Sequence, residues 1–293
     1  KRLELIFLLF HVILGIVSVT TPYVLVVWML LIMGTSFLGL LLNKNKDDIM
    51  TYTLAYLLGV EVFSRLCRAP LTGLLPDEIG KYFPLYVLIA AFLVEGKMRK
   101  GAGWIIIILT LPSLALIEDW NLRYGIVFNY LGIFNLALLM LYFGTKTITL
   151  DKLNNMFKLT IFPLISSLAY LTIKTPDFAE IEFSLGANFA TSGNYGSNQV
   201  STQLGLGMMI MLYFFVTRQK LFSIRYLDEF LLGMFIFRGL LTFSRGGMMV
   251  PAFGIILFYL ILRRASNFKI KGQFLKKIPI KQVMIAGVLG IVV

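Results

Sequence analysis

Long apolar stretches, broken at short intervals by basic, acidic or Gly/Asn-rich turns, run the whole length of the chain. Read for length, the pattern predicts eleven membrane spans, at 3–19, 23–42, 49–66, 82–95, 102–117, 125–143, 157–173, 199–217, 227–243, 247–262 and 282–293. An α-helix needs about 20 mostly apolar residues to cross a hydrocarbon layer of roughly 30 Å, and these runs approach that length. The fold expected is an all-α polytopic membrane protein, a single transmembrane helical domain over 1–293 with no soluble domain and no internal repeat. The first run is not a cleaved signal peptide, because no small-residue cleavage pattern follows it.

Composition agrees. Hydrophobic residues make up 58% of the 293, charged residues 14%, and the mean hydropathy is +0.83. The single cysteine, Cys67, excludes an intramolecular disulfide framework. The formal net charge of +12 would fit nucleic acid, but its distribution fits a membrane better. Of the 27 Lys and Arg residues, seven (Arg65, Arg68, Lys81, Arg123, Lys174, Arg238 and Arg245) fall in outer or intramembrane positions. The other 20 fall in alternate, inner segments if the N-terminus is cytoplasmic, which is the positive-inside distribution. The basic run 263–281 then reads as a cytoplasmic anchor against anionic lipid rather than a nucleic-acid site.

The outer segments therefore carry the unusual residues: Asp77 and Glu78, then Glu118, Asp119 and Arg123, the long segment 174–198, and Ser244 to Gly247. Chemistry on that face has no ATP or nucleotide-sugar at hand, so a substrate there must bring its own activation. The chain begins without Met and ends in an uncapped apolar run, so an extracytoplasmic loop and at least one further helix are expected after Val293.

Two constellations stand out. Arg238 and Arg245 are seven apart, so both fall on one face if a single helix carries them. Guanidinium groups deep in a bilayer are costly, and a bidentate clamp on a phosphate or diphosphate would account for them. Gly246 and Gly247 then open an apolar run and would leave bare backbone N–H groups for the same anion. The competing reading has Arg245 reaching the outer headgroups and Arg238 paired with a helix carbonyl or a carboxylate. The second constellation is the segment 188–203, NFATSGNYGSNQVSTQ. Its amides, hydroxyls and glycines suit a sugar or phosphate site, while an ordinary polar loop with a helix cap would read the same way. Gln199 and Gln203, four apart, share a helix face.

Glu61 and Arg65, four apart in an apolar run, read first as an intramembrane ion pair, with a polar cavity wall including Arg68 and Lys81 as the alternative. His11, the one histidine, reads as a neutral packed residue. One His, one Cys and scattered carboxylates make no metal constellation. No P-loop, dinucleotide fingerprint or nucleophile elbow is present.

The LLTFSRGG element at 240–247, together with the GNYGSNQ loop at 193–199 that opens an earlier helix, resembles the O-antigen polymerase/ligase superfamily of bacterial envelope glycosyltransferases. The likeness covers roughly 185–262 by motif and the rest by hydropathy alone. It implies a GT-C-like polytopic enzyme of the bacterial inner membrane, with its active site on the outer face. Such enzymes transfer a glycan from an undecaprenyl diphosphate carrier, without nucleotide, metal or cofactor. Arg245 matches the family arginine of the Ser-Arg-Gly element. The upstream loop often carries a second arginine; 184–203 has none, so its amides, Arg123 or Arg68 would take that place.

The site expected on this resemblance places Arg245, Arg238, Gly246, Gly247, Arg123 and Arg68 on the lipid diphosphate. Asn194, Tyr195, Asn198, Gln199 and Gln203 would lie on the glycan. The histidine thought to activate the acceptor in the ligases has no counterpart here, and a base is expected after 293. The partners implied are the undecaprenyl diphosphate-linked glycan and the lipid bilayer, with chain-length regulator and flippase proteins as protein partners and no nucleic acid. A polysaccharide polymerase is favoured, since nothing points to a lipid A core acceptor. A ligase joining the glycan to lipid A core, and a non-enzymatic flippase or transporter, stay open.

Overall fold

A computed structural model describes residues 2–43, 48–68, 79–95, 101–115, 120–175, 188–217 and 219–264. All regular structure among them is helical, with no strand. In order the helices are α1 (Arg2–Val17), α2 (Tyr23–Asn43), α3 (Ile49–Leu66), α4 (Ile79–Glu95), α5 (Ala102–Ala115), α6 (Trp120–Phe143), α7 (Leu150–Lys174), α8 (Ser197–Val216), α9 (Leu227–Leu241) and α10 (Arg245–Arg264), with a 3-10 turn at Ala190–Ser192 before α8. They follow the first ten apolar runs. The eleventh, 282–293, lies outside the described residues, as do Asp77, Glu78, Glu118, Asp119, the stretch 176–187 of the segment 174–198 and nearly all of the basic run 263–281.

Among the described residues three helices are both long and apolar enough to cross a membrane: Tyr23–Leu42, Leu150–Lys174 and Ser197–Val216. Shorter apolar stretches lie in α5, α6 and α10. α1, α4, α5 and α9 run to 16, 17, 14 and 15 residues, just under a full hydrocarbon crossing. Large apolar side chains point outward all the same, with Leu93 80% exposed and Leu42 73%. In water such a surface would aggregate; against lipid it costs nothing, and the molecule is a membrane protein on this ground.

The chain divides into two compact units, Pro22–Thr160 and the remainder. In the first, α3 forms the core: Met50, Leu54, Leu57, Val60 and Phe63, at helical spacing, are all buried. Lipid tails are as apolar as these side chains, so packing and interhelical hydrogen bonds hold the helices together instead. Trp28 Nε1 donates to Tyr56 Oη at 2.6 Å, and Ser36 Oγ meets Thr53 Oγ1 at 2.7 Å, joining α2 to α3. Asn135 Nδ2 donates to the Lys81 carbonyl at 2.7 Å between α6 and α4. Gly80 lets α4 approach α3 so closely that a Cβ there would fall 2.6 Å from Glu61 Cα. Glu61 and Arg65 form the expected pair, at 3.5 Å.

α7 starts at Leu150, seven residues before the apolar run that predicts it. The Thr149 hydroxyl accepts from Lys152 N at 3.3 Å, an N-cap that starts the helix in its polar part, and Lys152 Nζ reaches Asp48 at 2.5 Å. Lys146, in the turn before it, gives both Glu95 oxygens a 2.7 Å contact. Burial pushes the Lys146 ammonium down, but the Glu95 hydrogen bond and the nearby charges outweigh it and hold it above the usual lysine range. The contact is therefore fully present below the ordinary lysine pKa and lost only as pH rises through the raised value.

In the second unit α1 packs on α7 at Gly15, where a Cβ would fall 3.0 Å from Ala169 Cβ. His11 is fully buried, with Nδ1 2.9 Å from Ser166 Oγ and its ring between Phe7, Phe10 and Phe162. Ser166 Oγ also lies 2.8 Å from the His11 carbonyl, which accepts its one proton. That makes Nδ1 the donor to Ser166 and leaves His11 a packing residue. α8 is the centre of this unit, buried along most of its length against α9 and α10.

Candidate functional site at the α9–α10 turn

α9 ends at Leu241 and α10 begins at Arg245, so no single helix carries both Arg238 and Arg245. The one-face expectation fails at three residues, Thr242, Phe243 and Ser244. Thr242 is fully buried and donates through Oγ1 to the Gly239 carbonyl at 2.7 Å. Phe243 sits at φ 52°, a conformation that costs a bulky L-residue about 1–3 kcal/mol and persists only when its neighbours fix it.

Those neighbours come from the amide-rich loop. Asn188 N donates to the Thr242 carbonyl at 3.0 Å, and Thr191 Oγ1 donates to the Leu241 carbonyl at 2.5 Å. Both satisfy carbonyls that the end of α9 would leave open. The Asn188 side chain in turn accepts from Thr191 N at 3.1 Å. Gly193 (φ 67°) and Asn194 (φ 59°) are both left-handed, which turns the chain sharply into α8. On α8, Asn198 Oδ1 accepts from Ser244 Oγ at 2.8 Å, and Ser201 Oγ lies 2.9 Å from the same hydroxyl. The two sequence motifs are thus one structure, joined side chain to side chain at the residue before Arg245.

The glycines divide in role. Gly246 is exposed, with nothing within 4 Å of a Cβ built on it. Gly247 is buried against α8, where a Cβ would fall 2.5 Å from Thr202 N and closer still to Ser201 Oγ. Gly205 answers it from α8, its Cβ position 3.2 Å from the Gly247 carbonyl carbon. Gly247 is therefore explained by helix packing, whereas Gly246 leaves backbone open at the helix start.

Arg238 is buried, 5% exposed, and its Nη2 donates to the Leu171 carbonyl and, at 2.8 Å, to Thr175 Oγ1. Leu171 is in the last turn of α7, so Arg238 caps that helix with a cation where its dipole is negative. Its Nε has no hydrogen-bond partner among the described residues. Gln203 also turns inward, buried at 4%, and donates to Ser167 Oγ at 2.8 Å, while Gln199 is exposed; the two do not share an accessible face. Asn194 and Asn198 are exposed and Tyr195 half-buried. Arg68, exposed at φ 50°, and Arg123 belong to the other compact unit. The side chains of Arg123 and Arg245 lie outside the described set.

Sequence reasoning singled out the segment 188–203 and Ser244 but missed Thr242 and the contacts by which Asn188, Thr191, Ser201, Thr242 and Ser244 assemble the turn. Their signal was present as a density of Ser, Thr and Asn at two helix junctions, but which groups they serve depends on contacts 43 to 54 residues apart in sequence. Among the described residues no group of three His, Cys, Asp or Glu side chains could hold a metal. Removing the joint should loosen the turn without emptying the core. Ser244→Ala is expected to leave Asn198 Oδ1 without its donor and to lower stability by about 1 kcal/mol, read as a lower melting temperature of the purified protein. An unchanged melting temperature would mean that the Ser244–Asn198 bond does not hold the turn.

No family model, no curated protein and no solved structure matches this chain.

Proposed function

We propose that the protein is a metal-independent glycosyltransferase of the bacterial inner membrane that extends a glycan carried on undecaprenyl diphosphate, most consistent with a polysaccharide polymerase. The observation that carries the reading is the direct joining of Asn198 to Ser244 at 2.8 Å, which sets the exposed amides of 194–199 beside the Ser-Arg-Gly turn. That juxtaposition is what a substrate with a sugar on one side and a diphosphate on the other requires. The full architecture in this reading has eleven spans and a GT-C-like arrangement, with the N-terminus and 263–281 in the cytoplasm and the turn on the outer face.

In the proposed reaction an acceptor hydroxyl attacks the anomeric carbon of the carrier-linked sugar. The bond from that carbon to the diphosphate oxygen breaks, the carrier diphosphate leaves with the electron pair, and the hydroxyl proton passes to a base. Arg245 and the open backbone at Gly246 neutralise the leaving diphosphate, where negative charge grows in the transition state. Asn194, Tyr195, Asn198 and Gln199 orient the glycan through neutral donors and acceptors, which need no counter-charge. Arg238, committed to the end of α7, supports the unit from inside.

Two experiments test this. Purified protein in liposomes, given a lipid-diphosphate oligosaccharide, should release carrier diphosphate and build longer glycans. Transbilayer movement of the intact lipid with no new glycosidic bond would overturn the transferase in favour of a transporter. For topology, Asn194→Cys in a Cys67→Ser background should react with an impermeant maleimide from the outer face. Asn194 is the suitable probe because it is exposed, whereas Ser192 two residues before it is fully buried. Labelling only from the cytoplasmic face would reverse the orientation.

A further inference from the structure

A cavity lies at the end of α8 away from the candidate site. α8 is one of the helices long enough to cross the bilayer; it ends at Val216, and α9 begins at Leu227. The cavity, of about 220 Å³, has an apolar floor, with Met211, Phe214 and Leu232, and a mouth that carries Lys220, Asp228 and Glu229. Its lining runs from Met211 and Phe215 in the last turns of a membrane-crossing helix to Lys220 beyond its end, which sets it where hydrocarbon meets the phospholipid headgroups. Phe215, Tyr226 and Phe230 are exposed around it, as aromatic side chains are at a membrane interface.

The charges at the mouth have separate duties. Asp228 is spent on the fold: its two oxygens accept from Leu221 N at 2.9 Å and Phe222 N at 3.1 Å, which fixes the turn. Lys220 and Glu229 are exposed, both act electrostatically on Asp228, and neither forms an ion pair among the described residues. A cation and an anion are thus held open beside one apolar-floored cavity. We propose that this cavity binds the headgroup of a zwitterionic phospholipid with a primary ammonium. Lys220 takes the phosphate, Glu229 takes the ammonium, and an acyl chain lies along Phe215 and Leu232. A purely anionic headgroup would set its charge against Glu229 and leave that carboxylate without a partner, which disfavours it. A quaternary ammonium would need an aromatic cage, and the Tyr226 ring already carries the Arg225 guanidinium 4.6 Å from its centroid. The cavity is also below the roughly 300–1,000 Å³ of sites that enclose drug-sized ligands, which suits a small headgroup better than a glycan.

The test uses the whole purified chain, delipidated in detergent, with thermal stabilisation read against added phosphatidylethanolamine, phosphatidylcholine or phosphatidylglycerol of identical acyl chains. Phosphatidylethanolamine is expected to stabilise most. Glu229→Gln should weaken it about tenfold in apparent affinity and abolish its advantage over phosphatidylcholine, because a charge-assisted hydrogen bond to the ammonium is lost. Lys220→Ala should weaken both lipids alike, since both carry the phosphate. Both side chains are exposed, so the lipid-free melting temperature should not move. Equal stabilisation by all three lipids, a preference for phosphatidylglycerol, or an undiminished phosphatidylethanolamine preference in Glu229→Gln would each overturn the proposal. The wild-type ranking decides it even if a variant fails to fold, and glycan transfer plays no part in the readout.

Discussion

Gly247→Ala is expected to destabilise the protein by about 3 kcal/mol, while Gly246→Ala, one residue earlier, should leave stability nearly unchanged. The difference follows from what each added methyl meets. At Gly247 it meets Ser201 Oγ, Thr202 N at 2.5 Å and Ser201 C at 2.6 Å, and two of these three are backbone atoms of α8 that cannot rotate aside. The helices must separate, and with them the Gly205 contact and the Ser201–Ser244 hydrogen bond. At Gly246 the methyl meets nothing within 4 Å and enters the first turn of a helix, where Ala is at least as good as Gly. The measurement is thermal unfolding of both variants in the same detergent. Equal melting temperatures would show that α8 and α10 do not approach at Gly247. If instead both glycines serve an anion through backbone N–H groups, the two variants should be equally stable and equally impaired in transfer.

Much of the helical layout is legible in the sequence because the signal is length and apolarity, which need no partner. The boundaries that shift do so where polar side chains act. α7 begins early because Thr149 caps a polar turn, and α9 stops short because Thr242 closes it on Gly239. Glu61–Arg65 was legible because both members lie on one helix, and His11 because one histidine in an apolar run has little to do but pack.

The candidate site was legible as two motifs but not as a mechanism of assembly. Spacing put Arg238 and Arg245 on one face of an unbroken helix; the Phe243 turn breaks it. The same spacing could not show that Arg238 ends on the Leu171 carbonyl, since α7 lies more than sixty positions away in sequence. Likewise the i, i+4 rule pairs Gln199 with Gln203, but burial sorts them, one outward and one onto Ser167. Periodicity gives relative faces of a helix, and only packing decides which face meets the core.

The second large effect concerns Arg245 itself. Arg245→Lys keeps the charge and loses the planar, two-pronged donor set. If Arg245 clamps the leaving diphosphate, that loss falls on a contact that strengthens in the transition state, and should cost roughly 2–4 kcal/mol, or about thirty- to a thousand-fold in rate. Arg245→Ala should be at least as severe. Neither change should lower protein abundance, because Arg245 opens α10 rather than closing the Gly247 interface. An arginine that served only as a headgroup anchor would be replaced by lysine without loss, since both side chains reach the interface.

The decisive measurement is therefore the rate of glycan extension from a purified lipid-diphosphate oligosaccharide, compared for wild type, Arg245→Lys and Arg245→Ala at matched protein levels. Loss of at least thirtyfold in the lysine variant, with its melting temperature intact, is the result the diphosphate clamp predicts. Near-wild-type extension by Arg245→Lys would contradict it.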